Sequence, residues 1–379
     1  MNITVVTGPF QPLPPAGCGA VETIWLGVSR SFAAKGHHVS LVSCSKDNHL
    51  LPVIEGNLTF KFIKGQPRSG RIIADIVKDF PYSWRAISEV CGADIVILNS
   101  FWLPVLLPFF RNRYRTCAYS IARYPKGQMW LYSRANRLYC VSNAIAAAVS
   151  RECSRVAPLL KTIPNPIDTE VLVPPERSRE ISGSVRILYT GRIHPEKGIH
   201  LLIAAFRNFV SDYPTSELQI VGPSSLDEGG GGPGYMERLN ELANGLSISF
   251  VSPVYTKREL CTFLQEAHIY CYPSLAEKGE SFGVAPLEAM ATGLAPVVSD
   301  LSCFRDFICD GNDGIIFNHR SDDPVKALSN ALRQVIRDDC IYAQMGRAAS
   351  VRAREFSYTN IADLYLRDFE QLLAEGPMG

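Results

Sequence analysis

The sequence predicts an α/β protein made of two doubly wound parallel-sheet domains in tandem. Short apolar runs alternate with helical stretches, as expected when buried parallel strands are covered by helices on both faces. The alternation occurs twice along the chain. A proline-rich, charged stretch that includes Pro174-Pro175 separates the two series. The chain is therefore expected to form two similar domains joined by a linker.

The first series predicts an N-terminal domain over residues 1–172. It begins with an apolar run at 3–6, a helical stretch at about 21–35 that Gly36 stops, and a second apolar run at 39–42. This order is typical of a βαβ unit. Further strands are predicted at 58–63, 95–98, 138–141 and 160–163, with a helix at 143–151.

The second series predicts a C-terminal domain over residues 185–355, after a linker at 173–184. Strands are expected at 185–189, 218–221, 248–251, 269–272, 295–298 and 314–317. Asp323-Pro324 supplies a helix cap with proline in the first turn. The chain end, 356–379, is expected to cross back to the first domain as a helix over about 362–373. Such a pair of domains faces across a cleft at the carboxyl ends of the two sheets, where ligands of doubly wound folds bind.

Composition excludes several classes of protein. The 379 residues are 46% hydrophobic and 20% charged, with a net charge of +1 that argues against a general nucleic-acid binder. Eleven cysteines are scattered without a Cys-x-x-Cys pair, which favours reduced thiols over disulfides or zinc. The sequence starts without a signal-peptide pattern and has no apolar run of the ~20 residues that cross a bilayer. These features predict a cytoplasmic protein.

The stretch from Glu280 to Glu288 predicts a ligand site. Gly283 permits a tight turn, helix-forming residues follow, and Gly293 suits a helix end. The first turn of a helix can hold a phosphate through unpaired N–H groups, and a carboxylate on either side can accept hydrogen bonds from sugar hydroxyls. The alternative is that both glutamates only complement the helix dipole or pair with surface cations.

A second candidate site follows the first strand of the second domain, at 191–198, and opens a helix. Arg192 can grip phosphate oxygens with a planar fork, Lys197 adds a point charge, and Gly198 leaves room for close backbone approach. A solvated basic loop that pairs with Glu196 explains the same residues. His194 and His200 are expected to be a loop polar group and a helix surface residue.

The glycines at 17 and 19 do not make a dinucleotide fingerprint. Glu22 stands where the third glycine is needed, and the loop lies too far beyond the strand. A glycine loop that enters a helix can still place N–H groups on a pyrophosphate, so Gly19 remains a candidate.

Taken together, these motifs resemble those of retaining glycosyltransferases with the GT-B fold, in the large family 4. The resemblance rests on Gly191-Arg192 with Lys197-Gly198, on the Glu280 to Glu288 pair, on the Gly19 loop, and on Asn165-Pro166-Ile167-Asp168 before the linker. It covers nearly the whole chain.

The resemblance implies a role for each matching residue. Glu280 would lie by the donor sugar hydroxyls, Glu288 would hold the ribose, and Arg192 with Lys197 would grip the diphosphate. The implied catalytic residues are Arg192, Lys197 and Glu280. The implied donor-binding residues are Gly19, Arg192, Lys197, Glu280, Ser281, Phe282, Gly283, Val284 and Glu288.

The chain departs from the family pattern in places. Ala20 replaces a common second glycine, and Ser281 replaces a common proline. The strand at 95–98 ends in Asn99-Ser100-Phe101-Trp102, where many relatives place a histidine. Asn99 and Arg123 are the candidate acceptor-binding residues of the N-terminal, acceptor-side domain.

The predicted function is retaining transfer of a hexosyl group from a nucleotide-diphosphate sugar to an acceptor hydroxyl of a saccharide, glycolipid or small metabolite. A UDP-sugar is favoured over GDP-mannose. No Asp-x-Asp metal signature occurs, so no metal or other cofactor is expected. The alternatives are a nucleotide-sugar epimerase, a phosphorylase of the same architecture, or a non-catalytic sugar-nucleotide binder.

One region carries a strong charge bias. No acidic residue lies between Asp94 and Glu152, and arginine and lysine residues are frequent over 111–137. Either this is a solvated basic face, or it is a patch for an anionic or lipid-linked acceptor in peripheral contact with a membrane.

Overall fold

The computed structural model describes residues 1–13, 19–45, 51–177, 179, 181 and 184–376. The chain divides into two compact units, which are treated separately. Unit 1 contains Met1–Pro166 and Tyr358–Gly379, and unit 2 contains Ile167–Ser357. Among the described residues no helix is long and apolar enough to cross a membrane.

The sheet of unit 1 has the predicted parallel, doubly wound order with one antiparallel strand at its edge. The described strands are β1 Asn2–Val6, β2 His38–Ser45, β3 Val53–Glu55, β4 Leu58–Lys64, β5 Ala93–Leu98, β6 Tyr114–Ile121, β7 Arg137–Cys140 and β8 Leu160–Thr162. They are ordered β3-β4-β2-β1-β5-β6-β7-β8. The order reverses between β1 and β5, which makes that point the topological switch.

Two strands of unit 1 were not predicted. Strand β6 carries Arg115, Thr116 and Ser120 among its apolar residues, so it lacks the continuous apolar run that marks a buried strand. Strand β3 pairs with β4 antiparallel across the two residues Gly56 and Asn57, which form a hairpin turn. All three residues of β3 are exposed, so the edge strand has no hydrophobic pattern to detect.

The helices of unit 1 are α1 Ala20–Ala34, α2 Ile72–Glu89, α3 Leu103–Leu106, α4 Asn143–Glu152 and α11 Tyr358–Glu375. Helix α11 packs against α1 through aromatic rings, with the centroids of Trp25 and Tyr365 5.3 Å apart. Asp368 on α11 is buried and accepts hydrogen bonds from Arg137 Nε at 3.0 Å and Tyr139 Oη at 2.7 Å. Helix α11 is therefore joined to β7 by these hydrogen bonds.

Unit 2 has a six-stranded parallel sheet. Its strands are β9 Arg186–Thr190, β10 Glu217–Val221, β11 Ile248–Val251, β12 Ile269–Tyr272, β13 Pro296–Ser299 and β14 Ile315–Phe317. Their order is β11-β10-β9-β12-β13-β14, the doubly wound arrangement that the sequence predicts. The helices are α5 Ile199–Phe209, α6 Gly232–Ala243, α7 Lys257–Glu266, α8 Val284–Ala291, α9 Pro324–Val335 and α10 Asp339–Arg354.

The strand order of unit 2 locates a ligand site before any side chain is considered. The strand order reverses between β9 and β12, and ligands of open α/β sheets bind beyond the carboxyl ends of the strands at such a point. The loop after β9 begins at Gly191, and the loop after β12 runs from Pro273 to Gly283. These two loops carry the predicted motifs of this unit.

Candidate active site

The two motif loops of unit 2 lie directly against each other. Leu275 N donates to Glu196 O at 2.7 Å, which joins the backbones of the two loops. Gly198 has φ +69°, and a Cβ atom built on it would lie 2.1 Å from Pro273 O. Only glycine permits this approach, because any side chain would overlap a backbone carbonyl. The Gly198 of the motif thus holds the loops together.

Lys197 and Glu280 form a buried ion pair at this junction. Lys197 is 5% exposed and Glu280 is 8% exposed, and the Nζ to Oε2 distance is 2.7 Å. Lys197 Nζ also lies 5.4 Å from the ring centroid of Tyr272, and the Tyr272 ring stacks on the ring of Tyr189. A charge pair held by packing in this way presents a fixed electrostatic environment to a bound anion.

Arg192 lies at the more open side of the same loop. Its NH2 group donates to Glu196 Oε1 at 2.8 Å, and its NH1 group donates to Gly229 O at 2.8 Å. The guanidinium is therefore oriented by two acceptors. Gly229 follows a short turn at Leu226–Glu228 and precedes α6.

Helix α8 begins as the sequence predicts. Gly283 is its N-cap with φ +85°, and a Cβ atom there would lie 2.4 Å from Phe304 Cε1. The first N–H groups of a helix have no partner within the helix, and they carry the positive end of its dipole. Ser281 and Val284, on either side of this turn, are partly exposed. The start of α8 can accordingly hold an anion.

Phe282 contributes to this turn by packing in the core rather than through a side chain that is open to a ligand. It is buried, with its ring 5.1 Å from that of Phe307 and 6.2 Å from that of Phe356. The side chain packs in the core of unit 2 and fixes the turn before α8. Any contact from Phe282 to a ligand would come from its backbone.

Glu288 lies one turn further along α8 and is paired with a residue that the sequence interpretation missed. Its buried carboxylate accepts a hydrogen bond from Lys257 Nζ, at the start of α7. Thr256 caps that helix through the N–H of Glu259. Lys257 gave no separate signal in the sequence, although its place beyond the carboxyl end of β11 is the edge where the other motifs lie.

The two histidines near the motif have different surroundings. His194 Nδ1 accepts a hydrogen bond from Glu196 N, as expected of a loop polar group. His200, expected to be a helix surface residue, lies on α5 and is only partly exposed. It is half-buried against Tyr235, with Nδ1 3.1 Å from the tyrosine hydroxyl, and burial lowers the pKa of His200.

The three candidates of unit 1 follow the carboxyl edge of its sheet. Gly19 is the N-cap of α1, and its carbonyl accepts from Thr23 N at 2.9 Å; positions 17 and 18 of the predicted loop lie outside the described residues. Asn99 uses its side chain internally, with Oδ1 accepting from Trp25 Nε1 at 2.8 Å and Nδ2 donating to Val6 O at 3.2 Å. It therefore joins α1 to β1 at the switch point.

Arg123 is exposed just beyond β6 and lies near the carboxylate of Glu22. Burial raises the pKa of Glu22, and the charges of Arg123 and Arg68 oppose that rise. The structure adds Asp79 to this unit, a buried carboxylate that accepts from Phe101 N at 2.8 Å. Burial raises the pKa of Asp79. It lies within α2, a helix that the sequence interpretation did not identify.

Among the described residues, no group of three or more histidine, cysteine, aspartate or glutamate side chains could hold a metal ion.

Part of the chain matches a known protein family. The family described as "Glycosyl transferases group 1" matches residues 175–352. A phosphatidyl-myo-inositol mannosyltransferase from Mycolicibacterium smegmatis is 31% identical over 191 residues, covering 50% of this chain and 46% of that protein. The chain thus spans about half the length of the curated relatives it matches.

Solved structures resemble the chain over nearly its whole length. A sucrose-phosphate synthase from Thermosynechococcus elongatus aligns with TM-score 0.78 and 19% identity, covering 99% of this chain and 100% of that one. Anabaena HepE, solved in complex with UDP and glucose, aligns with TM-score 0.71 and 16% identity over 98% of this chain and 99% of that one. At these identities the likeness shows the fold. Residues 175–352 thus match the glycosyl transferases of group 1, and the two parallel-sheet units have the GT-B fold.

Proposed function

We propose that this protein is a retaining glycosyltransferase that moves a hexosyl group from a nucleotide-diphosphate sugar to an acceptor hydroxyl. The observation that carries the proposal is the arrangement at the switch point of unit 2. There the Lys197–Glu280 pair, Arg192 and the start of α8 come from two loops joined at the Glu196 and Leu275 backbones. Cations and helix N–H groups beside carboxylates suit a diphosphate flanked by sugars.

The proposed reaction needs charge stabilisation at one atom. The bond between the anomeric carbon and the diphosphate oxygen breaks, and a bond from that carbon to the acceptor oxygen forms on the same face. The acceptor proton passes to the departing diphosphate. Arg192, Lys197 and the N–H groups that begin α8 would stabilise the negative charge that develops on the leaving oxygen. Removing one such donor typically lowers kcat ~10²–10³-fold.

Glu280 and Glu288 are proposed to bind the two sugars of the donor. Glu280 is held by Lys197, and Glu288 by Lys257, so each carboxylate has a fixed direction and retains acceptor capacity for hydroxyl groups. Gly19 of unit 1 is proposed as a further donor contact, and Asn99 and Arg123 as acceptor contacts. No metal or other cofactor is proposed, since the two basic residues supply positive charge.

A uridine nucleotide is the proposed donor carrier, because a solved neighbour of the same fold binds UDP. GDP-mannose is the competing donor, because several sequence relatives are named mannosyltransferases. The acceptor is a hydroxyl of a saccharide, a lipid or a small metabolite.

The test is a thermal-shift and calorimetric titration with UDP, GDP, ADP and NAD. A nucleotide at 100 times its Kd should stabilise the protein by about 2.7 kcal/mol. The Arg192→Ala variant should bind the same nucleotide about tenfold to a hundredfold more weakly, because charged hydrogen bonds contribute about 1.5–3 kcal/mol each. Arg258→Ala, at an exposed position of α7, is the matched control.

Three outcomes would contradict the proposal. If the protein bound only NAD, or none of the four nucleotides, the proposed diphosphate-binding site would be contradicted. Consumption of the nucleotide sugar without an acceptor, or only with inorganic phosphate, would instead indicate an epimerase or a phosphorylase. Nucleotide-sugar binding with no turnover against any class of acceptor would indicate a binding protein.

A further inference from the structure

Helix α2 of unit 1 exposes a continuous apolar stripe. Five of its large apolar side chains are open to solvent, and four of them recur every three or four residues, so they lie on one face of the helix. The exposed fractions are 65% for Ile72, 79% for Ile73, 65% for Val77, 43% for Phe80 and 55% for Trp84. Single exposed apolar residues are normal, but a contiguous stripe of this length marks an interaction surface.

The apolar stripe extends beyond α2 through aromatic contacts. The ring of Trp84 lies 5.9 Å from that of Phe110, and the ring of Phe80 lies 5.8 Å from that of Trp102. The indole N–H of Trp102 donates to Ile76 O at 2.8 Å, which fixes the 101–110 segment against α2. The neighbouring Phe109 is 70% exposed. The surface is therefore held by two segments of unit 1 rather than by one helix.

Positive charge borders this aromatic extension. The guanidinium of Arg113 lies 5.8 Å from the ring centroid of Phe110, and that of Arg134 lies 5.4 Å from the ring centroid of Phe109. Arg111, on the same turn, is exposed. The sequence between Asp94 and Glu152 contains no acidic residue.

The combination of charge and apolar surface points to one occupant. A helix that lies in the plane of a membrane surface presents aromatic and aliphatic side chains to the lipid and arginine or lysine to anionic headgroups. A second copy of this chain fits less well, because a two-fold contact through this face would bring the arginines of both copies together.

We propose that the apolar stripe of α2, with Phe109, Phe110 and the border of Arg111, Arg113 and Arg134, docks unit 1 on the surface of an anionic lipid bilayer. The stripe inserts among the headgroups and the arginines contact lipid phosphates. This inference goes beyond the proposed function, and it stands on unit 1 alone.

The test is flotation of the full-length protein with phosphatidylcholine vesicles and with vesicles that also contain phosphatidylglycerol. The parent protein should bind the anionic vesicles at least about tenfold more tightly, and added salt should weaken the binding because it screens the arginines. Ile73→Glu/Val77→Glu and Arg111→Gln/Arg134→Gln should each lower the partition coefficient at least about tenfold. Val351→Glu, an exposed apolar position of unit 2, should leave it unchanged.

Two further measurements keep the outcome decisive. Nucleotide binding should be the same in all of these variants, so a failure here is separate from a failure of the proposed function. Brominated lipid should quench the fluorescence of Trp84 in the parent protein. The Trp84→Phe variant should lose this quenching. Equal binding of parent and stripe variants to anionic vesicles would overturn the proposal. The proposal would also be overturned if substitutions in the apolar stripe abolished dimerisation of the protein but left its binding to vesicles unchanged.

Discussion

Replacing Lys197 by methionine should destabilise unit 2 strongly, because it leaves the Glu280 carboxylate buried without its partner. The two side chains are 6% and 9% exposed, and their charged atoms are 2.7 Å apart. Breaking a buried ion pair by removing one member costs about 3–5 kcal/mol. For a domain of 150–250 residues, each kcal/mol lowers Tm by about 2–4 °C, so a decrease of about 6–20 °C is expected. Methionine keeps the volume of the side chain, which separates loss of charge from loss of packing.

The assay is thermal unfolding of the parent, Lys197→Met, Glu280→Gln and the double variant. The double variant should regain most of the lost stability, since no unpaired charge remains, with a coupling free energy of at least about 2 kcal/mol. Arg305→Met is the control, because Arg305 pairs with Asp300 while 56% exposed, and such pairs contribute about 0–1 kcal/mol. If Lys197→Met unfolds within about 1 °C of the parent, the pair is not buried as described and the argument for a fixed charge environment fails.

Three further predictions address other parts of the structure. Gly283→Ala should lose about 2–4 kcal/mol of stability, since φ is +85° and the new Cβ would meet Phe304, and an unchanged Tm would contradict the described turn. Burial lowers the pKa of His200, so below its ordinary value of 6.5 the unfolded chain binds more protons. The parent should therefore lose stability as the pH falls from about 7 to 5, whereas His200→Asn should lose less, and parallel pH profiles would refute this. Asp368→Leu should lower the free energy of unfolding in urea by about 3 kcal/mol, because Arg137 and the buried Tyr139 lose their acceptor. Asp363→Leu, at a more exposed ion pair, should lower it by under about 1 kcal/mol.

The sequence alone determined the class of fold and the positions of the unit 2 motifs. Parallel strands such as β12 are buried on both faces, so their sequences are continuous apolar runs that can be recognised without a structure. Gly283 and Gly293 were recognised because a left-handed backbone conformation at a helix boundary demands glycine, and both have positive φ in the structure.

The sequence did not reveal elements whose stability comes from their neighbours. Strand β6 mixes polar and apolar residues and forms because β5 and β7 satisfy its backbone on both sides. Helix α2 has apolar residues at helical spacing, but Pro81 lies inside the helix and signals a break, and the apolar face is exposed, so the pattern would place the wrong face in the core.

Only the tertiary structure decided how the candidate site is assembled. The pairing of Lys197 with Glu280 joins residues 83 positions apart, and that of Lys257 with Glu288 joins residues 31 positions apart. Spacing along the chain carries no information on such contacts, because the sheet order, not the sequence distance, brings the loops together. The residue type at each position reflects the backbone conformation and the burial required there, so these features can be predicted from the sequence. The partner of a buried charge depends on which strand ends lie next to each other in the fold, and only the tertiary structure shows that.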